Sequence, residues 1–474
     1  MNFIKSNSFF YYSLAFISIA LLIVCFTFEG TGGGGDSVFH FQYAKFAAQH
    51  PENFFNHWAK PLYTIFAFPF AQFSFTGIKV FNILMSIISA YYTHKILLHF
   101  KTANAHLIAI ILFSITLFVN VTISGLTEPF SAALLMVAIY CLAKNKTVLG
   151  LFIISFLPFI RSEGLIILGV VFIFLIACKK LKWSPWLLSG HLVMSVMGCF
   201  YYRDLFWVFN KIPYAHISSV YGTGTWTHFI IQLYFQIGLI EYVLFIVGCI
   251  AMVIALLKSK GKILFLNEKL WLVYGCFFAF LIAHSCFWAL GIFNSMGLSR
   301  VFVSVMPLLA IIVLDGLNFI ENLVITKNHK VATTVKYILL VVMIIFPFLQ
   351  TPTSYNLPDD FELEPSQVLI KSKLVPYINL HKPNKTIIMA DISIPLFKNL
   401  DPFDKSKVKM IYDVKDFNTI DTNTIVVWDT WLSVMEFGLT LEKLTQCNNL
   451  KMDTIFHMKS KKGRVTEYAV FSKK

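Results

Sequence analysis

The chain has 474 residues, of which 57% are hydrophobic, 16% aromatic and only 14% charged, with a mean hydropathy of +0.70. A soluble globular domain carries about a quarter charged residues, so this composition excludes one and points to a polytopic membrane protein. The formal net charge of +14 does not signal nucleic acid, because the lysines fall in short loops between apolar runs, as charges facing a cytoplasm do.

The N-terminus, MNFIKSNSFFYYSLAFISIALLIVCFTF, has a basic start and an apolar run too long for a signal-peptide core, and it reads as a retained anchor. A membrane-spanning helix needs about 20 mostly apolar residues. That ruler predicts about eleven helices, near 9–28, 78–98, 105–123, 127–143, 147–160, 164–178, 186–206, 229–257, 270–290, 301–321 and 336–350. The segment Pro61–Phe75 is apolar but short and interrupted by Pro69, and reads as an interfacial helix.

Lysines collect in alternate loops: Lys95 and Lys101; Lys144 and Lys146; Lys179, Lys180 and Lys182; Lys258, Lys260, Lys262 and Lys269; Lys327, Lys330 and Lys336. The positive-inside rule puts these loops and the N-terminus in the cytoplasm. The first loop, 29–77, and the C-terminal part then lie outside. The outward loops hold Glu29, Asp36, Lys45 and Lys60, then Glu128, then Arg161 with Glu163, then Arg300. Acids and cations therefore gather on one face. Seven of the eight cysteines lie in or beside apolar runs, and no disulfide framework is visible.

After Gln350 the stretch TPTSYNLPDDFELEPSQ is rich in proline and acid and reads as a linker. KTIIMADI, VKMIYDV, TNTIVVWDTW and a pair of runs around Gly463 are short β-like segments with helical stretches between them. The fold class expected is an all-α polytopic bundle over 1–350, followed by a small soluble α/β domain over 351–474.

At this point the residues carry a resemblance. GDSVFHFQYAK after the first span is similar to the first-loop motif of the GT-C superfamily, the membrane glycosyltransferases that use lipid-linked sugars. HWAKPLYTIFAFPF resembles the K-P-L element of aminoarabinose and protein mannosyl transferases, and SGLTEPFSAALLMVAIY the start of their fourth span. PFIRSEGLIIL resembles their R-P-E-G-L element, with Ser162 where proline is usual. YGTGTWTHFI, LSRVFVSVMPLLAI and WDTWLSVMEFGLTLEKL resemble an outward aromatic loop, a late span and the tail domain of bacterial members.

The resemblance implies an inverting transferase of a bacterial inner membrane. Its donor is a polyprenyl-phosphate sugar, a hexose such as mannose, and its acceptor a glycan, lipid or protein at the outer face. Such a transfer needs a base for the acceptor proton and cations for the departing phosphate. Asp36 is the candidate base; a helix cap is its competing role. Lys60, Arg161 and Arg300 are the candidate phosphate ligands. Against them stand headgroup binding for Lys60, a pair with Glu163 for Arg161, and a snorkelling side chain for Arg300. Glu128, His228 and Trp226 are candidate substrate contacts. An ordinary helix N-terminus competes for Glu128 and an interfacial aromatic belt for Trp226. His40 lies near enough in sequence to tune Asp36, but a lone histidine in an amphipathic run is more often structural. Glu241, His284 and Asp315 are scattered within apolar spans and stay outside the site. The sequence requires no metal but leaves room for a divalent cation held by Asp36 with Glu128 or Glu29. An oligosaccharide ligase or polymerase, or a transporter or flippase, are the rival readings.

Overall fold

The structure, a computed structural model, describes residues 7–213, 221–259, 268–325, 328–349, 360–459, 463 and 465–474. Lys260, Lys262 and Lys327, and residues 351–359 of the expected linker, lie outside the described residues.

The first part is helical: α1 (Asn7–Thr27), α2 (Gly34–Lys45), α3 (Pro61–Ala71), α4 (Phe75–His99), α5 (Ile108–Ser114), α6 (Thr116–Thr122), α7 (Glu128–Ala143) and α8 (Thr147–Ile154). It continues with α9 (Gly164–Ala177), α10 (Ser189–Tyr202), α11 (Trp207–Asn210), α12 (His228–Ile237), α13 (Leu239–Lys258), α14 (Cys276–Leu290), α15 (Met306–Ile325) and α16 (His329–Ile345). Every expected apolar segment is helical over most of its length, but they are not eleven uniform spans. Six among the described residues are long and apolar enough to cross a membrane, or seven with one bent pair counted as a span.

The breaks have local causes. The segment expected as one span at 105–123 bends by 76° between α5 and α6, where Ile115 is extended at φ −74°, ψ 108°. The segment 229–257 is two helices parted by Gly238, whose φ of 88° is left-handed. The segment at 186–206 is helical only over α10, entered through a 3-10 stretch, Leu181–Leu188, that contains Pro185.

At one end of the bundle, Lys336 Nζ pairs with Glu321 at 2.6 Å and Lys269 Nζ with Asp315 at 2.6 Å. Asp315, left out of the site on its sequence, is thus ion-paired, and Tyr274 also donates to it at 2.8 Å. Glu241 is buried and accepts from Ser114 Oγ at 2.8 Å.

The second part is a five-stranded sheet, β1 (Thr386–Met389), β2 (Val408–Met410), β3 (Thr424–Asp429), β4 (Leu450–Lys459) and β5 (Val465–Lys473), in the order β2-β1-β3-β5-β4. β1 pairs in parallel with β2 and β3, in register Ile387 with Val408 and Ile425. β5 runs antiparallel to β3 and β4. The β-like runs expected from sequence are these strands. Bundle plus α/β unit is the expected fold class, and it is the one observed.

The two parts meet on α2. Its Val38 packs in one core with Leu369, Ile387 and Val427 of the sheet unit. Phe41 and Ala44 pack in another with Leu62, Tyr63 and Phe81 of α3 and α4. Polar contacts pin the same helix and its flanks: Gln42 Nε2 donates to the Ile392 carbonyl at 3.4 Å. His50 Nε2 lies 2.8 Å from Asp401 Oδ2, and the Gly30 N–H donates to the Phe361 carbonyl at 2.8 Å. The short helix of the first loop is therefore clamped from both sides.

Candidate active site

The run Gly32–Gly33–Gly34 has φ of +55°, +68° and +58°, a conformation L side chains rarely adopt. A Cβ on Gly33 would also stand 2.6 Å from Leu126 Cδ1. The run turns the chain sharply into α2 and brings the first turn of that helix against the start of α7.

Asp36 lies in that first turn. Gly33 occupies the N-cap position and no side chain caps the helix, so the capping role weighed for Asp36 is not the one it plays. Its carboxylate instead accepts a hydrogen bond from Arg300 Nη2. Arg300 Nη1 donates to the Gly33 carbonyl at 3.2 Å, which ties the arginine to the glycine turn.

Glu128 opens α7, with Pro129 in the first turn. It is fully buried, at 0% exposure. Arg161 Nη1 stands 2.7 Å from its Oε1, and Arg300 Nε 3.9 Å from the same oxygen. Arg161 in turn holds Glu163 through Nη2 at 2.8 Å and donates to Thr127 Oγ1 at 3.3 Å. The Arg161–Glu163 pair weighed from sequence is present, but it forms only half of what Arg161 does.

Lys60 precedes Pro61 at the start of α3 with φ 67° and ψ 92°. A non-glycine residue held there carries about 1–3 kcal/mol of backbone strain, which persists only where the surroundings enforce it. Burial lowers the Lys60 ammonium to about 8, with the charge of Glu163 opposing that fall and Arg161 adding to it. Burial disfavours the charged form of Arg161 too, but Glu128 and Glu163 outweigh it and hold the guanidinium above its ordinary value. Glu163 is buried as well, yet Arg161 holds its carboxyl down to about 2. Burial brings His40 down to about 3 against the pull of Asp36, so its ring, stacked 5.2 Å from Trp58, is a neutral neighbour.

Asp36, Glu128, Arg161 and Arg300, drawn from four separate stretches of sequence, thus form one ion-paired cluster, and Lys60 lies within the reach of its charges. His228 does not enter it. Its Nε2 lies 3.0 Å from the Gly297 carbonyl and its ring 5.8 Å from Trp288, so it pins the loop that leads to Arg300. Trp226 is 57% exposed, and no contact joins it to the cluster among the described residues.

Tyr221 escaped the sequence reading, although it opens the YGTGTWTH run. Its hydroxyl donates to Glu436 of the sheet unit. Burial pushes its phenol up, with Glu436 and the charge of Asp36 adding.

Asp36 and Glu128 already face arginines, Glu29 pairs with Lys371, and no group of three or more His, Cys, Asp or Glu converges among the described residues.

No family model matches the chain, and no curated protein matches it. Among solved structures it is similar to the crystal structure of ArnT from Cupriavidus metallidurans bound to undecaprenyl phosphate. The TM-score is 0.58 over 96% of this chain and 97% of that one, at 10% identity. The likeness is one of fold, and it spans both the bundle and the sheet unit.

Proposed function

We propose that the chain is an inverting GT-C-type glycosyltransferase that moves a sugar, a hexose such as mannose, from a polyprenyl-phosphate donor to an acceptor hydroxyl. It would work at the outer face of a bacterial inner membrane, on a glycan, lipid or protein acceptor. One observation carries this reading: an uncapped carboxylate, Asp36, is held by an arginine that also leans on a second, buried carboxylate. The undecaprenyl phosphate bound to the similarly folded ArnT supports a polyprenyl donor.

The arriving phosphate competes with Asp36 for Arg300. Arg300 turns toward the phosphate while Glu128 keeps hold of its Nε side, and the Asp36 carboxylate is freed. That carboxylate takes the proton of the acceptor hydroxyl as the acceptor oxygen attacks the anomeric carbon. The bond from that carbon to the phosphate oxygen breaks, and its electron pair leaves on the phosphate. Arg300, Arg161 and Lys60 stabilise the departing charge. Attack opposite the leaving group inverts the anomeric centre.

The test is transfer of radiolabelled sugar from synthetic polyprenyl-phosphate mannose and glucose in reconstituted vesicles. Asp36→Asn is expected to slow transfer roughly 10²- to 10⁴-fold while undecaprenyl phosphate still raises the unfolding temperature. An Asp36→Asn protein as fast as wild type would remove Asp36 as the base.

A further inference from the structure

The carboxyl ends of β1, β2 and β3 all point the same way, because these three strands are parallel. Open sheets of this kind bind ligands at that edge. Here the edge faces α2, as the Gln42 contact to Ile392, just past β1, shows.

The residues just past β2 and β3 are unusually apolar for a surface. Tyr412 is 65% exposed, Trp431 47%, Met435 53% and Phe437 36%. Tyr412 and Phe437 have ring centroids 5.9 Å apart. Trp431 and Met435 lie on one turn, joined by a 2.8 Å backbone bond. Clustered exposed aromatics on a soluble unit mark an interaction site.

The sheet unit meets the outward loop of the bundle here: Glu436, between Met435 and Phe437, accepts from Tyr221, which opens the run that leads to His228 and, through the Gly297 carbonyl, to the loop of Arg300.

We infer that Tyr412, Trp431, Met435, Glu436 and Phe437 form an acceptor subsite, and that the acceptor is a carbohydrate chain. This rests on the transferase reading above. A sugar ring offers a face of C–H bonds that lies against an aromatic ring, and a rim of hydroxyls that donate to a carboxylate. Aromatic faces beside Glu436 supply both partners. A seat for the lipid surface is the poorer match, because Glu436 sets a carboxylate beside the rings where anionic headgroups would press, while Asp413, next to Tyr412, is paired with Lys405 at 2.5 Å. The terminal sugar of the acceptor reaches Asp36, and the sugars behind it stack on the rim.

The experiment uses the full chain in nanodiscs. The emission of Trp431 is isolated, among nine tryptophans, as the difference between wild type and Trp431→Phe. Two probes are applied: protease-treated, delipidated glycan fragments of the host envelope, and brominated phospholipid in the disc. The glycan fragments are expected to change the Trp431 signal. Tyr412→Ala and Phe437→Ala are expected to weaken that response roughly 3- to 10-fold. No response to the fragments, or quenching by brominated lipid instead, would overturn the inference. Undecaprenyl phosphate added to the same discs reads the donor site separately. A thermal shift without a glycan response sinks the acceptor subsite alone, and loss of both sinks the transferase reading with it.

Discussion

Replacing Glu128 by Gln keeps its shape and removes its charge. In the native cluster three cations, Lys60, Arg161 and Arg300, face three carboxylates, Asp36, Glu128 and Glu163. The variant carries one uncompensated positive charge. Stripping one partner from a fully buried pair costs about 3–5 kcal/mol. Arg161 keeps Glu163 at 2.8 Å, so we expect the lower end, about 3 kcal/mol, read from reversible unfolding in mixed detergent. The same surplus charge should attract a phosphate. At an effective dielectric of about 20, losing a like charge roughly 6–11 Å from the phosphate is worth about 1.5–3 kcal/mol. Undecaprenyl phosphate should therefore bind Glu128→Gln at least about tenfold more tightly, while transfer slows because both arginines have lost their shared anchor. An unchanged stability together with an unchanged phosphate affinity would refute the view that Glu128 sets the charge balance of the site.

The glycine run offers a contrast. Gly33→Ala meets both a left-handed φ and Leu126, and should cost upwards of about 1–3 kcal/mol and most activity. Gly35→Ala has nothing within 4 Å of its Cβ and should be neutral or stabilise by about 0.4–1 kcal/mol; thermal unfolding of the pair separates them, and equal effects would contradict the described turn. Lys60 gives a pH signature. Its folded ammonium titrates at about 8, below the unfolded value, so the unfolded chain holds the extra proton between about 8 and 10.4. Stability should rise with pH across that window, and undecaprenyl phosphate affinity should fall as pH climbs through about 8. Lys60→Arg should keep its affinity to higher pH, and a flat profile for both would remove Lys60 from phosphate binding.

Much of the fold was legible because the bilayer ruler acts on local composition. Every expected apolar segment is helical over most of its length, two of them as a pair of helices, and the β-like runs after residue 380 became strands. The break at Gly238 had a local signal, a glycine within an apolar run. The 76° bend at Ile115 had none, since an isoleucine followed by a threonine sits as comfortably in a straight helix. The site divides in the same way. Asp36, Glu128, Arg161 and Arg300 were readable because charges are costly near a membrane and these all fell at span ends that the lysine pattern assigns to one side. Which cation meets which carboxylate was not, because Arg300 and Asp36 are 264 positions apart in the chain. Tyr221 and Glu436 were missed for a related reason: neither is conspicuous until the sheet unit docks.

The clamping of α2 between two cores bears on when the protein becomes active. Val38, two residues after Asp36, shares its core with Val470 of β5, a strand made more than 400 residues later by the positions of the two on the chain. A nascent chain that has made only the bundle holds α2 through Phe41 and Ala44, without the sheet-side core that Val38 completes. Synthesis of the tail then acts as a timer: the helix that carries Asp36 gains its second core only once β5 has been made and folded.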